Sequence, residues 1–193
     1  MHEEARYKRI KHYHEPGQAH ELSFSCFQKQ SLLSNDQFCQ WFIENLTSVR
    51  ARHQFDLWAY VVMPNHVHLL IRPSGEVLSI GRILWDLKLP VSIRVVNYCK
   101  AHAPGILQRM LDINKTGTIT YRFWQRGGGY DRNMIHSEII RASIEYLHLN
   151  PVRKHLVERP EDWPWSSAGF YTGKDTYPIR MDVETLPYNM PIR

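Results

Sequence analysis

Two histidines separated by one apolar residue, His66 and His68 in MPNHVHLLI, have a spacing that can do chemistry. Side chains alternate along a strand, so both imidazoles and Leu70 point to one face, the imidazoles about 7 Å apart. Val67, Leu69 and Ile71 then point to the other, packed face. Neutral imidazole binds divalent first-row metals, and two on one face can reach a single ion. The spacing fits two hydrogen-bonded surface histidines equally well. As a metal site the pair is incomplete, and at least one further ligand must come from elsewhere. The segment EYLHLNP supplies Tyr146, a phenol, and Asn150, whose amide oxygen suits a hard cation. Four residues apart, they sit on neighbouring turns of one helix face. Both are expected beside the Ile140–Ile144–Leu147 stripe, edging towards the histidines while the stripe packs on the sheet. Taken singly, Tyr146 reads as a helix-flank aromatic and Asn150 as a helix C-cap before proline.

The elements that must hold these residues follow from the pattern along the chain. HELSFSCF (20–27) alternates, with Leu22, Phe24 and Cys26 on one face, and predicts a first strand. Ser34-Asn35-Asp36 offers a helix N-cap, and Phe38, Phe42, Leu46 and Val49 carry a helical stripe to about Arg52. FDLWAYVV (55–62) is aromatic and β-branched. Met63-Pro64-Asn65 turns the chain and HVHLLIR returns, giving an antiparallel hairpin that ends at Pro73-Ser74-Gly75. Residues 77–102 are helical in pattern, with Pro90 expected to kink the helix or start a new one. Between 103 and 121 no pattern dominates; ITYRF (119–123) is a short strand candidate, followed by Gly127-Gly128-Gly129. A helix over 136–149 is expected to stop at Asn150-Pro151, because proline disfavours the helical conformation of the residue before it. Prolines at 160, 164, 178, 187 and 191 indicate mostly loops thereafter. The order β-α-β-β-α-(β)-α predicts an α+β sandwich, a central antiparallel sheet with helices packed on it.

A chain of 193 residues with 43% hydrophobic content suits one globular domain over 1–193. Within it, 1–17 reads as a basic arm and 171–193 as a loop-rich tail. The net charge of +5 fits a polyanion partner such as nucleic acid without requiring one. In the arm, Arg6, Lys8, Arg9 and Lys11 alternate with Tyr7 and Tyr13; the same composition describes a solvated terminus. Cys26, Cys39 and Cys99 are scattered and form no metal cassette, which favours small half-buried hydrophobes in a reducing cytoplasm. The polar start, MHEEARYKRIKHYH, is no secretory signal, and no apolar run has membrane-spanning length. No P-loop is present, so no nucleotide cofactor is expected.

MPNHVHLLI, preceded by LWAYVV, resembles the His-hydrophobic-His (HUH) motif of single-tyrosine DNA transposases. WQRGGGYDR, IEYLHLNPVRKHLV and RPEDWPWSS, in that order, resemble the REP-associated tyrosine transposases, and the likeness runs from about residue 20 to 170. The resemblance implies an HUH-type, ferredoxin-like sandwich. It implies a divalent metal, Mg2+ or Mn2+, held by His66, His68 and Asn150, with Tyr146 as nucleophile. Tyr146 would attack a phosphodiester, form a 5′-phosphotyrosine and free a 3′-hydroxyl, conserving the bond for rejoining. A phenolate leaves more readily than an alkoxide in that return step. The substrate implied is single-stranded DNA with a palindromic, REP-like hairpin, handled by a monomer in the cytoplasm, associated with the nucleoid. Tyr130, expected in a loop after the glycines, and His148, on another helix face, compete for a catalytic role and are placed behind Tyr146. Candidate phosphate contacts are Arg6, Lys8, Arg9, Lys88, Arg94, Arg122, Arg126, Arg132, Arg153 and Lys154, although many exposed charges are merely solvated. The three glycines and Pro90 depart from the family pattern; the glycines would let the tyrosine helix swing, let backbone approach DNA, or simply turn the chain. Two rivals stand beside this reading: a metal-dependent phosphoesterase in which Tyr146 is structural, and a non-catalytic hairpin-binding module.

Overall fold

The computed structural model describes residues 17–74, 79–174 and 177–187; Arg6, Lys8 and Arg9 of the expected arm lie outside them. In chain order the first elements are β1 (Ala19–Ser25), α1 (Asp36–His53), β2 (Phe55–Met63), β3 (His66–Pro73) and α2 (Ile80–His102). They are followed by α3 (Pro104–Arg109), β4 (Leu111–Ile113), β5 (Ile119–Tyr121), β6 (Tyr130–Met134), α4 (Ser137–Arg153) and α5 (Ala168–Tyr171). The main sheet has the order β2-β3-β1-β6, antiparallel throughout. With α1 after the first strand and α2 after the third, this is the ferredoxin-like β-α-β-β-α-β arrangement, extended by α4.

Residue alternation assigns the two faces. Leu22, Phe24, Val67 and Leu69 point to one, where Phe24 meets Phe42 of α1 at 6.0 Å between ring centroids. The opposite face carries His66, His68 and Leu70 of β3, Glu21 and Ser23 of β1, and Tyr130 and Arg132 of β6. This second face is also covered, contrary to the expectation of a single packed side. Ser143 of α4 donates to Glu21 Oε2 at 3.0 Å and touches Met134 Sδ, and Leu70 is fully buried.

The expected stop at Asn150-Pro151 is corrected: α4 passes through Pro151 to Arg153, and at Pro90 no new helix starts, since α2 runs through it. A proline inside a helix leaves the carbonyl four residues earlier without its N–H partner. For Pro90 that carbonyl is Asp86 O, and Asn45 Nδ2 of α1 donates to it at 3.0 Å and to Leu87 O at 2.9 Å. For Pro151 it is Leu147 O, and Asn150 Nδ2 lies 3.4 Å away while bonding Tyr146 O at 2.9 Å. In both places a side-chain amide supplies the missing donor, so the helix continues.

The short strand expected near 119–123 is present as β5, but among the described residues it pairs with β4 in a separate ribbon, and the fourth strand of the main sheet is β6. Its sequence, YDRNM, is polar. Asp131 is nevertheless buried because His20 Nδ1 meets its carboxylate at 2.8 Å across the pairing. Entry into β6 depends on Gly129, at φ +86°, where a Cβ would collide with the Ser23 carbonyl oxygen. The glycine serves a close backbone approach to β1, within the protein. On the opposite side, residues 163–167 run along β2: Trp165 O accepts from Val62 N, and Ser167 N donates to Tyr60 O. They cover the sheet's other edge, which would otherwise expose unpaired backbone groups.

Gly129→Ala is expected to destabilise the fold by about 2–4 kcal/mol, combining left-handed strain with overpacking. Gly128→Ala, where the nearest atom to a new Cβ is Leu84 Cδ1 at 3.8 Å, should be nearly neutral. Denaturant midpoints of the two variants check this; equal midpoints would refute the assigned role of Gly129.

Candidate active site

The two-residue turn Pro64-Asn65 starts β3 directly with His66, since Met63 and His66 are paired partners. Its backbone is pinned to neighbouring segments: Leu33 N donates to Pro64 O and Cys26 N to Asn65 O, each at 2.8 Å. Asn65 Oδ1 lies 2.6 Å from His66 Nδ1. With the proton on Nδ1, Asn65 accepts it and Nε2 keeps its lone pair. This anchoring role for Asn65 was not evident from the turn signal alone. The imidazoles of His66 and His68 stand edge to face, 4.8 Å between centroids. Burial lowers the His66 pKa, helped by the charge of Lys154. Burial, with His66 second, lowers that of His68 to about 4. Both rings are therefore neutral at pH 7.

α4 lies across the same face. Its buried side is Ile140, Ser143, Ile144, Leu147 and Asn150, so Asn150 belongs to the stripe, whereas only Tyr146 flanks it. Tyr146 is 47% exposed, and the Arg153 guanidinium stacks over its ring at 4.6 Å. His148 is turned away into the protein, where its Nε2 meets Ser167 Oγ at 2.8 Å and burial lowers its pKa to about 4. The WPWSS segment thus straps α4 to β2: Ser167 Oγ also accepts from Tyr60 N, and Trp163 Nε1 donates to Val62 O.

A cavity of about 700 Å³ opens between α4 and the sheet. Its walls include His68, Tyr146, Tyr130, Arg132, Glu21 and Glu138. The structure therefore brings His68 and Tyr146 to one space, but leaves His66 and Asn150 out of its lining. Tyr130 enters this space as the first residue of β6, rather than lying in a loop. The signal that could have placed it is the alternation Tyr130–Arg132–Met134 against Asp131–Asn133. Glu21 and Ser23, between the apolar residues of β1, carried the same kind of signal.

The remaining candidate cations fall in two groups. Arg132, Arg153 and Lys154 lie around the cavity and His66. Lys88, Arg122 and Arg126 line a separate cleft between α2 and residues 121–128. There Lys88 Nζ donates to Gly127 O at 2.8 Å, and both arginines pair with Asp112. Arg94 pairs with Glu44 and stacks on Trp41.

A divalent metal fits the donor set. His68 Nδ1 is a buried nitrogen with no hydrogen-bond partner among the described residues. His66 is held through one nitrogen with the other available, and Asn150 engages its amide NH2 with carbonyls, leaving its oxygen as the donor. Among the described residues no three His, Cys, Asp or Glu side chains cluster. The Asn150 oxygen, its amide NH2 being engaged by carbonyls, is of a donor type that would suit a hard cation beside the two imidazoles.

No protein-family model matches the chain. It is 24% identical over 127 residues to a putative REP-associated tyrosine transposase of Haemophilus influenzae, covering 65% of this chain and 66% of that protein. It is 24% identical over 135 residues to the REP-associated tyrosine transposase of Escherichia coli K12, covering 69% and 67%. The matched stretch thus spans about two thirds of each relative. Among solved structures, a REP-associated tyrosine transposase bound to a REP hairpin superimposes with a TM-score of 0.66. That match is 16% identical and covers 89% of this chain and 88% of the other. The chain is a sequence relative of REP-associated tyrosine transposases and shares the fold of one. Among the described residues no helix is long and apolar enough to cross a membrane.

The depressed histidines set an acid limit. Their folded pKa values lie below the unfolded value of about 6.5, so between about pH 6.5 and 4 the unfolded chain binds more protons. Stability is unaffected above that window, falls as pH drops through it, and levels off below about pH 4. For His148 the shift to about 4 corresponds to roughly 3 kcal/mol. His148→Gln should flatten the loss between pH 6.5 and 4, measured by urea unfolding; an unchanged slope would contradict the buried neutral assignment.

Proposed function

We propose that this relative of the REP-associated tyrosine transposases is a metal-dependent single-strand DNA endonuclease and strand transferase. Its substrate is hairpin DNA of the REP-palindrome type, and it works through a covalent 5′-phosphotyrosine at Tyr146. The observation carrying this reading is the shared cavity of His68 and Tyr146, on a sheet face fixed by β3 and a helix fixed by α4. The hairpin substrate rests on kinship, since the structurally similar transposase is bound to a REP hairpin.

His66, His68 and Asn150 would hold Mg2+ or Mn2+, which when bound polarises the scissile phosphate. Tyr146 is exposed enough to meet a backbone phosphate, and its oxygen forms a bond to phosphorus as the bond to the 3′-oxygen breaks. The Tyr146 phenol gives up its proton to solvent as the departing 3′-oxygen takes one up and leaves as a hydroxyl, and a DNA 3′-hydroxyl reverses the step to join strands. Arg153, stacked on the Tyr146 ring, and Arg132, on the cavity wall, place positive charge beside the phosphate. Asn150 bonds the Tyr146 carbonyl, so the proposed ligand and the nucleophile are tied to one helical turn. α4 packs on the sheet of its own chain, which supports a monomer as the working unit.

Incubation with a labelled hairpin oligonucleotide and Mn2+ is expected to give a denaturation-resistant protein–DNA adduct. Tyr146→Phe should abolish the adduct and cleavage, and EDTA should do so reversibly. Cleavage surviving Tyr146→Phe would favour a phosphoesterase without a covalent step, and no cleavage by the wild type would favour a binding module. Mn2+ titration followed by electron paramagnetic resonance tests the ligands independently. His68→Ala should lose at least about tenfold in Mn2+ affinity, and an unchanged affinity would remove it from the ligand set.

A further inference from the structure

β6 is held more tightly than a short polar strand requires. Gly129 lets its backbone approach β1 where any side chain would collide. His20 and Asp131 form a buried pair at 2.8 Å, and Asn133 donates to Gln18 Oε1 at 2.8 Å, both on the side away from the cavity. These contacts fix the direction of the alternate residues, Tyr130 and Arg132, which both face the cavity. Tyr130 pairs with Ser23, which pairs with His68, so all three form one row across three strands. Two strand spacings set Tyr130 about 10 Å from His68, roughly one nucleotide step beyond a phosphate engaged there.

Tyr130 is also 46% exposed, and Ile139 and the Tyr146 ring share its cavity. A rigid aromatic ring at the mouth of a cavity, with a guanidinium two residues along the strand, suits one chemical partner well. That partner is an unstacked nucleotide, its base on the ring and its phosphate on the arginine. We infer that Tyr130 and Arg132 grip the unpaired nucleotide adjoining the scissile phosphate, with Tyr130 a positioning residue that stacks on the base. The inference rests on the DNA-cleaving reading above. The Tyr130 phenol has no chemical part in it; the ring alone matters.

The test measures equilibrium binding by fluorescence anisotropy, in a Tyr146→Phe background with Mn2+. The two probes are a labelled DNA hairpin with a ten-nucleotide single-stranded flank and the same hairpin blunt-ended. Tyr130→Leu is expected to weaken binding of the flanked hairpin about tenfold and leave the blunt hairpin within twofold. Tyr130→Phe should bind both like the parent, which a merely structural loss would not produce selectively. Equal binding of the flanked hairpin by parent and Tyr130→Leu overturns the inference. So does an equal loss in Tyr130→Phe and Tyr130→Leu, or a loss shared by the blunt hairpin. Because cleavage is not the readout, failure here is distinguishable from failure of the covalent mechanism, which wild-type adduct formation reports.

Discussion

The candidate site depends first on strand register. β1 lies between β3 and β6, and its pairing aligns His68, Ser23 and Tyr130 in one row and Leu70, Glu21 and Arg132 in the next. A slip of one residue in either pairing would send these side chains to the opposite face. Burial on both faces forbids that slip. Leu22, Phe24, Val67 and Leu69 fill the layer towards α1 and α2, while Leu70 is sealed beneath the α4 side. The polar residues of the cavity are thus positioned by the apolar residues between them.

The helix carrying Tyr146 is positioned by a different means. Pro151 would ordinarily end α4 before Lys154, leaving the Leu147 carbonyl unpaired inside the protein. The Asn150 amide lies within reach of that carbonyl and bonds that of Tyr146, and the helix continues. Its last turn then carries Arg153 over the Tyr146 ring and Lys154 to within electrostatic reach of His66. One amide side chain therefore supports the helix with its nitrogen, and its oxygen is the donor the proposed metal site would use. The Ser167–His148 contact anchors the same helix from the far side, tying the end of RPEDWPWSS to it.

Much of this arrangement was legible before any coordinates. Apolar alternation identified β1, aromatic and β-branched composition identified β2, the Pro-Asn turn gave the returning β3, and helical stripes identified α1 and α4. Elements whose stability comes from distant partners were not legible. β6 is polar, and it joins the main sheet with Asp131 buried against His20, more than a hundred residues earlier, at hydrogen-bond distance. Pro90 and Pro151 look like helix stops locally, but each freed carbonyl finds an amide that no local rule describes. For the site, the histidine pair and Tyr146 were visible by type and spacing. The placement of Tyr130 beside them was hidden, because it follows from the strand that was missed.

The central claim is that Tyr146 becomes covalently joined to DNA. The most direct measurement is peptide mapping by mass spectrometry after reaction of the wild-type protein with a hairpin oligonucleotide and Mn2+, followed by nuclease and protease digestion. The account predicts a residual nucleotide, linked through its 5′-phosphate, on the peptide containing Tyr146 and on no other. Modification at Tyr130 instead, or cleaved DNA with every tyrosine peptide unmodified, would contradict it.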